Sequence, residues 1–192
     1  EVFGHVNGIK FLDLDESAVL DLLEYELPRN QEIYWNPSED THPNQHWIDQ
    51  ILAIFMFENS QYDFLEFSKF PLLPMEWPEK KLVLFNPYDP LLFLPPELYD
   101  YGPMIPILAK LGVRFTTCKP PPQNNGLNPN LAIIRECILL STPTNMVESL
   151  KRAVSKSSKT LEQIFLDLNS DEIEKFRNFV RNASRINLGK LY

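Results

Sequence analysis

Two histidines, His42 and His46, have the spacing that most resembles a chemical site, and Asp40 and Asp49 lie close to them in the sequence. Histidines four residues apart on a helix can share a zinc ion. Pro43, however, pushes His42 out of helical geometry, and the sequence offers no further set of ligands. The pattern favours helix-cap and loop roles and predicts no metal site, with a metal-dependent hydrolase as the alternative.

Other arrangements that would support catalysis or cofactor binding do not occur in the sequence. Cys118 and Cys137 have no recognisable activating motif around them, and there is no G-x-S-x-G nucleophile elbow. The six glycines are scattered, so they do not form a glycine-rich loop for phosphate binding. We therefore predict no catalytic residue, no cofactor and no enzymatic activity.

A basic cluster is formed by Lys151, Arg152, Lys156 and Lys159. Serines lie between these residues, but no aromatic side chain does. A stacking surface for nucleic-acid bases would need such aromatic side chains. The cluster is the predicted partner-binding surface, and a solvated helix face is the plain alternative. Contact with nucleic acid or acidic lipid is a further alternative.

The charge of the chain is distributed unevenly. The formal net charge is −8 and the pI is about 4.9. Residues 1–100 carry 19 acidic and 5 basic side chains, whereas residues 101–192 carry 7 acidic and 13 basic ones. The overall acidity argues against nucleic-acid binding by the whole chain, and the basic half could steer towards an acidic partner.

Composition and apolar patterning predict a globular chain outside the membrane. Apolar residues make up 44% and charged residues 23% of the sequence, which is ordinary for a protein with a packed core. The apolar runs are far shorter than the roughly 20 residues of a membrane-spanning helix. The start of the sequence resembles neither a signal peptide nor an initiating methionine, so we expect a cytoplasmic piece of a longer polypeptide.

Local patterns in the first half predict short strands and helices. Residues 8–14 alternate like a strand, and Asp15 or Ser17 can cap a helix that continues to about Leu27. The stretch 47–55 is apolar on most sides of a helix and is expected to be deeply buried.

The middle of the chain is rich in proline and favours short elements. Residues 81–85 read as a strand. A helix over about 104–111 should end at Gly112 in the left-handed conformation, with 113–118 extended beyond it. Residues 131–140 are ambiguous between helix and strand.

From Thr144 onward the sequence becomes helical. Thr144 or Asn145 is the predicted cap of the first of these helices, and Ser170 of the last. The predicted fold class is mixed α/β, with a domain of short strands and helices over 1–143. Residues 144–192 are predicted to form a C-terminal helical extension that packs on it.

Several ordered landmarks resemble the repeat segments of the sacsin family of giant co-chaperones. The first is Phe11-Leu12 followed by the helix that ends at Leu27-Pro28, and the second is His42-Pro43 with Trp47-Ile48. The third is F-S-K-F-P-L-L-P over residues 67–74, which is similar to a family signature. In that signature, tryptophan often stands where this chain has Phe70.

Two later stretches add to the resemblance. Leu111-Gly112-Val113 is similar to the leucine-glycine turn of such a segment, and residues 168–179 are similar to its following helix. The family's ATPase-like domain, related to the ninety-kilodalton heat-shock chaperone, needs a glycine-rich lid and an aspartate-glycine element. Neither occurs here, so the resemblance implies a part of the repeat outside the ATPase.

What the resemblance implies is a non-catalytic structural and protein-interaction module of a large cytoplasmic scaffold. Such a module would serve protein folding and the organisation of intermediate filaments. Its partners would be heat-shock chaperones, cytoskeletal filaments and the rest of the parent polypeptide, with neither nucleic acid nor membrane among them.

Overall fold

The computed structural model describes residues 5–6, 9–10, 15–38, 40–56, 63–94, 104–121, 129–157 and 161–188. The strands are β1 His5–Val6, β2 Ile9–Lys10, β3 Ile33–Tyr34, β4 Leu73–Met75, β5 Lys81–Val83, β6 Leu91–Phe93, β7 Phe115–Thr116 and β8 Ile138–Leu140. The helices are α1 Glu16–Glu26, α2 Gln45–Met56, α3 Phe64–Phe67, α4 Met104–Lys110, α5 Pro129–Cys137, α6 Pro143–Lys156, α7 Leu161–Leu166 and α8 Ser170–Leu188. The predicted mixed α/β class is confirmed.

The chain divides into two compact units, each built from separate stretches of sequence. The first unit contains Glu1–Pro74, Lys80–Pro87 and Pro121–Cys137, and the second contains Met75–Glu79, Tyr88–Pro120 and Ile138–Tyr192. The boundary predicted after residue 143 stays a prediction.

In the first unit, α1 begins and ends as its sequence predicts. The Asp15 carboxylate accepts a hydrogen bond from the Ala18 backbone N–H at 2.8 Å, which caps the helix. Val19 and Leu23 are fully buried on one face, and Leu27 leaves the helix in an extended conformation. The cap is thus Asp15, one of the two predicted alternatives.

The core of the first unit combines α2 with a three-stranded sheet in the order β3-β5-β4. Of the apolar side chains of α2 that the sequence predicts to be inside, Phe55 lies outside the described side chains. The others are buried, namely Trp47, Ile48, Ile51, Leu52 and Ile54. The stretch 67–74, which carries the third family landmark, is also mostly inside, and Phe67, Phe70 and Leu72 are fully buried. That landmark is therefore a packing element.

The second unit is built on a short parallel sheet in the order β7-β6-β8. Leu92 lies opposite Phe115 in β7 and opposite Leu139 in β8. Every residue of β6 is buried, as is usual for a central strand of a parallel sheet that is covered by helices. Phe115 also exchanges backbone hydrogen bonds with Trp77, so this side of β7 has a partner.

The turn between α4 and β7 depends on Gly112, as predicted. Its φ is +89°, a conformation that favours glycine, and the backbone then enters the extended segment that leads to β7. A Cβ atom at this position would also lie only 3.3 Å from the Ala153 methyl carbon of α6. Backbone conformation and close helix packing thus both require glycine here.

The ambiguous stretch 131–140 contains both structures in succession. Helix α5 ends at Cys137, and strand β8 begins at the next residue. Of the predicted strand over 8–14, residues 9–10 form β2, and residues 8 and 11–14 lie outside the described residues. None of the helices in the described ranges is both long and apolar enough to span a membrane.

Candidate functional site

Helix α6 has its cap at Thr142, two residues before the first of the predicted caps. The Thr142 hydroxyl accepts a hydrogen bond from the Asn145 backbone N–H at 3.2 Å, and Pro143 occupies the first turn, where its missing N–H costs nothing. The prediction of Thr144 or Asn145 as cap was wrong, because Thr142 already satisfies the free N–H groups and the helix includes both later residues.

The last helix, α8, begins with a reciprocal pair of hydrogen bonds. The Asn169 backbone N–H donates to Glu172 at 2.9 Å, and the Glu172 backbone N–H donates to the Asn169 side chain, also at 2.9 Å. This capping box corrects the prediction that Ser170 is the cap, since Ser170 is already the first helical residue.

Glu172 also ties α8 to the end of α4. Lys110 Nζ lies 2.6 Å from its carboxylate. Lys110 and the backbone of Asn169 hold the pKa of Glu172 below its usual range. One carboxylate therefore both caps α8 and joins its first turn to α4.

Helices α6, α7 and α8 enclose an apolar groove that opens to the surface. A cavity of about 640 Å³ is lined by residues of α7 and α8, including Phe165, Ile173, Phe176 and Val180. A second cavity, of about 440 Å³, shares three of these side chains and adds residues of α6, namely Val147, Leu150 and Val154. We call these two adjoining cavities the groove.

The floor of the groove is continuous with the core of the second unit. Phe176 is buried in that core, and the Phe165 ring packs on it with the ring centroids 5.6 Å apart. Leu150, Val154, Ile173 and Val180 are only partly buried, although they pack against the same core. The groove therefore has a rigid base and presents apolar side chains that remain partly open to solvent.

Charged residues form the rim of the groove. Arg177 and Arg181 line the larger cavity together with Glu162, and Lys151 lines the smaller one. Lys151 donates to Glu148 at 2.7 Å and holds the pKa of that carboxyl below its usual range. Within the described part of the chain, neither Arg177 nor Arg181 has an ion pair, and both are exposed.

Three of the four predicted partner-binding residues lie in the described structure, and each has different surroundings. Lys151 lies at the groove, whereas Lys156 Nζ contacts Asp89 at 3.0 Å. Arg152 is partly buried, and one terminal nitrogen of its guanidinium is enclosed without a hydrogen-bond partner among the described residues. Lys159 lies outside the described residues.

Asp89 is the centre of an ion cluster that the sequence analysis missed. It also contacts Arg114 Nη1 at 2.9 Å. Burial by itself would raise the pKa of Asp89, but hydrogen bonds from Lys156 and Arg114, with their charges, outweigh it and lower the pKa. No local pattern signals this cluster, because its members are distant in sequence and meet only in the folded second unit.

The histidines make contacts with different neighbours. His42 Nε2 lies 3.2 Å from Glu26, and its ring packs edge-on against Trp47 with centroids 5.2 Å apart. His46 Nε2 is 2.8 Å from the Gln50 amide nitrogen. The described residues contain no group of three histidine, cysteine, aspartate or glutamate side chains placed to hold a metal ion.

The buried thiol of Cys137 is kept protonated. Burial, with a smaller contribution from the neighbouring Glu136 charge, raises its pKa to about 12. Because the thiolate is the reactive form, Cys137 is inert as a nucleophile at neutral pH.

Comparison with known proteins found no match for this chain among protein-family models, curated proteins or solved structures.

Proposed function

We propose that this chain is a non-catalytic structural and protein-interaction module of a large, sacsin-like cytoplasmic co-chaperone or scaffold, and that it binds partner polypeptides in the groove. The observation that carries the proposal is the set of partly open apolar side chains that α6, α7 and α8 hold over a packed core. Grooves of this kind between helices bind the apolar face of a polypeptide segment.

The family resemblance supports the part of the proposal that places this chain in a large co-chaperone or scaffold. The groove supports the part that assigns it the binding of polypeptides. The landmark at 67–74 consists mainly of buried residues. It therefore supports a packing arrangement related to that of the family, and it does not bear on the binding surface. The proposed roles in protein folding and in the organisation of intermediate filaments come from the resemblance alone.

The groove is tested directly with a defined peptide. The probe is a fluorescent peptide of about 16 residues with leucine at helical spacing i, i+3, i+4, i+7 and uncharged glutamine at the other positions. We expect saturable binding in fluorescence anisotropy. The substitution Ile173→Asp should abolish it, because the new carboxylate would be desolvated beneath the bound peptide.

Ile173 is a suitable position because it lies in the first turn of α8, where the helix dipole tolerates an acidic residue. The matched control is Leu65→Asp, which places the same charge in the first turn of α3, where Leu65 is 67% exposed. Binding that is absent in the wild type, or unaffected by Ile173→Asp in a folded variant, would overturn the proposal.

A further inference from the structure

We infer that the segment bound in the groove is an amphipathic helix of a partner protein with acidic residues beside its apolar face, and that these residues pair with Arg177 and Arg181. The inference rests on the proposed function, since it names the chemistry of the partner for the same groove.

The two arginines form a basic pair that has no ion-pair partner among the described residues. They lie four residues apart on α8, so their side chains are neighbours on one face of the helix, and both line the larger cavity. Like charges at this spacing repel each other. Among the described residues neither arginine contacts an acidic side chain, so two carboxylates of a partner would relieve this repulsion.

The other charged residues at the rim are either ion-paired or acidic. Lys151 on α6 is engaged by Glu148, and Glu162 on α7 adds a negative charge to the rim. Among the described charged groups at the rim, the positive charges that no ion pair engages are therefore those of Arg177 and Arg181 on α8. A bound helix would lie with its acidic side towards α8, and its apolar side chains would contact Val154, Phe165 and Ile173.

The walls of the groove favour a helix over an extended strand as the occupant. A strand that binds by sheet extension needs backbone N–H and C=O groups that are still unpaired. Here the walls are helices, whose backbone groups are satisfied within each helix except at the ends. Recognition must therefore use side chains, and a helix presents several apolar side chains on one face.

A partner protein fits better than a second copy of this chain. Large apolar side chains that are at least two-fifths exposed occur singly on different segments of the described structure, for example Tyr25, Leu65 and Leu166. Helix α1 is acidic and amphipathic, but its apolar residues Val19 and Leu23 are buried in its own unit. The described residues thus offer no free acidic helix of the required kind.

The test uses two further versions of the neutral peptide, one with glutamate and one with lysine at the positions that flank the leucines. We expect the wild type to bind the acidic peptide about tenfold more tightly than the basic one at low salt. The preference should shrink in 0.5 M NaCl. The Debye length there is about 4 Å, so charges that lie further apart are largely screened.

The double variant Arg177→Glu with Arg181→Glu should invert the preference and bind the basic peptide more tightly. Its matched control, Lys80→Glu with Lys119→Glu, makes the same change in net charge at exposed positions outside α6, α7 and α8 and should keep the wild-type preference. Circular dichroism and thermal unfolding verify that both variants fold.

Each result separates the inference from the function on which it rests. Equal binding of acidic and basic peptides, or a preference that the double variant leaves unchanged, overturns the acidic partner while the groove remains a peptide site. Failure of all three peptides overturns both. Binding to anionic lipid vesicles with no binding of any peptide would assign the arginines to a membrane surface and likewise overturn the inference.

Discussion

Lys156 Nζ lies 3.0 Å from Asp89 Oδ1, so the last residue of α6 is bound to the segment between β5 and β6. Asp89 also holds Arg114, the residue just before β7. One carboxylate therefore joins three separate stretches of the second unit.

The substitution Asp89→Asn should destabilise the second unit. It removes the negative charge that contacts both Lys156 and the largely buried Arg114 side chain, and we expect the free energy of unfolding at pH 7 to fall by about 1–2 kcal/mol. Urea unfolding followed by circular dichroism measures the loss. Glu174→Gln removes a charge from an exposed residue of α8 and should have almost no effect. An equal change in both variants would contradict the role of the cluster.

The stability supplied by Asp89 should depend on pH in a defined direction. Because its pKa is lowered by folding, the stabilisation is complete above the unfolded pKa of about 4 and is lost as the pH falls through the lower folded pKa. The difference in unfolding free energy between wild type and Asp89→Asn should therefore be constant from pH 7 to about 5 and shrink below about 4. A difference that grows on acidification would show that folding does not lower the pKa of Asp89.

Ser149→Ala should stabilise the chain. Ser149 is 8% exposed, and its hydroxyl has no hydrogen-bond partner among the described residues. Removing a buried unsatisfied hydroxyl and introducing a better helix former should raise the free energy of unfolding by about 0.5–1.5 kcal/mol. The matched control is Ser155→Ala on the same helix, where the exposed hydroxyl bonds to the Arg152 carbonyl and the change should be close to zero. Destabilisation by Ser149→Ala would mean that the hydroxyl has a partner.

Asn169→Ala should weaken the start of α8, because it removes half of the reciprocal pair with Glu172. We expect a cost of about 1 kcal/mol, measured as a lower midpoint of urea unfolding. Ser170→Ala tests the position that the sequence pattern favoured and should cost much less. Equal costs at the two positions would mean that the hydrogen bonds of Asn169 contribute little.

Residues with a strict local requirement could be predicted from the sequence. Asp15 was one of two predicted caps, and Gly112 was predicted in the left-handed conformation that it adopts. The burial of α2 followed from its apolar residues alone. In each case a few neighbouring residues define the conformation, so no distant contact is needed.

The predictions that failed concern a choice among neighbouring residues of equal local merit. Thr142 and Thr144 are both good caps, as are Asn169 and Ser170, and the choice depends on where packing begins the helix. The stretch 131–140 did not fail as a prediction: its apolar residues suit either a helix or a strand, so the sequence leaves it open between the two. Pairing of Ile138 with Leu91 in the parallel sheet makes its last residues a strand.

The sequence by itself determined the mixed α/β class, the turn at Gly112, and the excess of basic residues in the second half. Only the tertiary structure decided which of these residues act together. It placed Lys156 against Asp89 and turned Arg177 and Arg181 towards the groove. The physical reason is that helix and turn propensities act over a few residues, whereas a groove or an ion cluster forms between residues that only packing brings together.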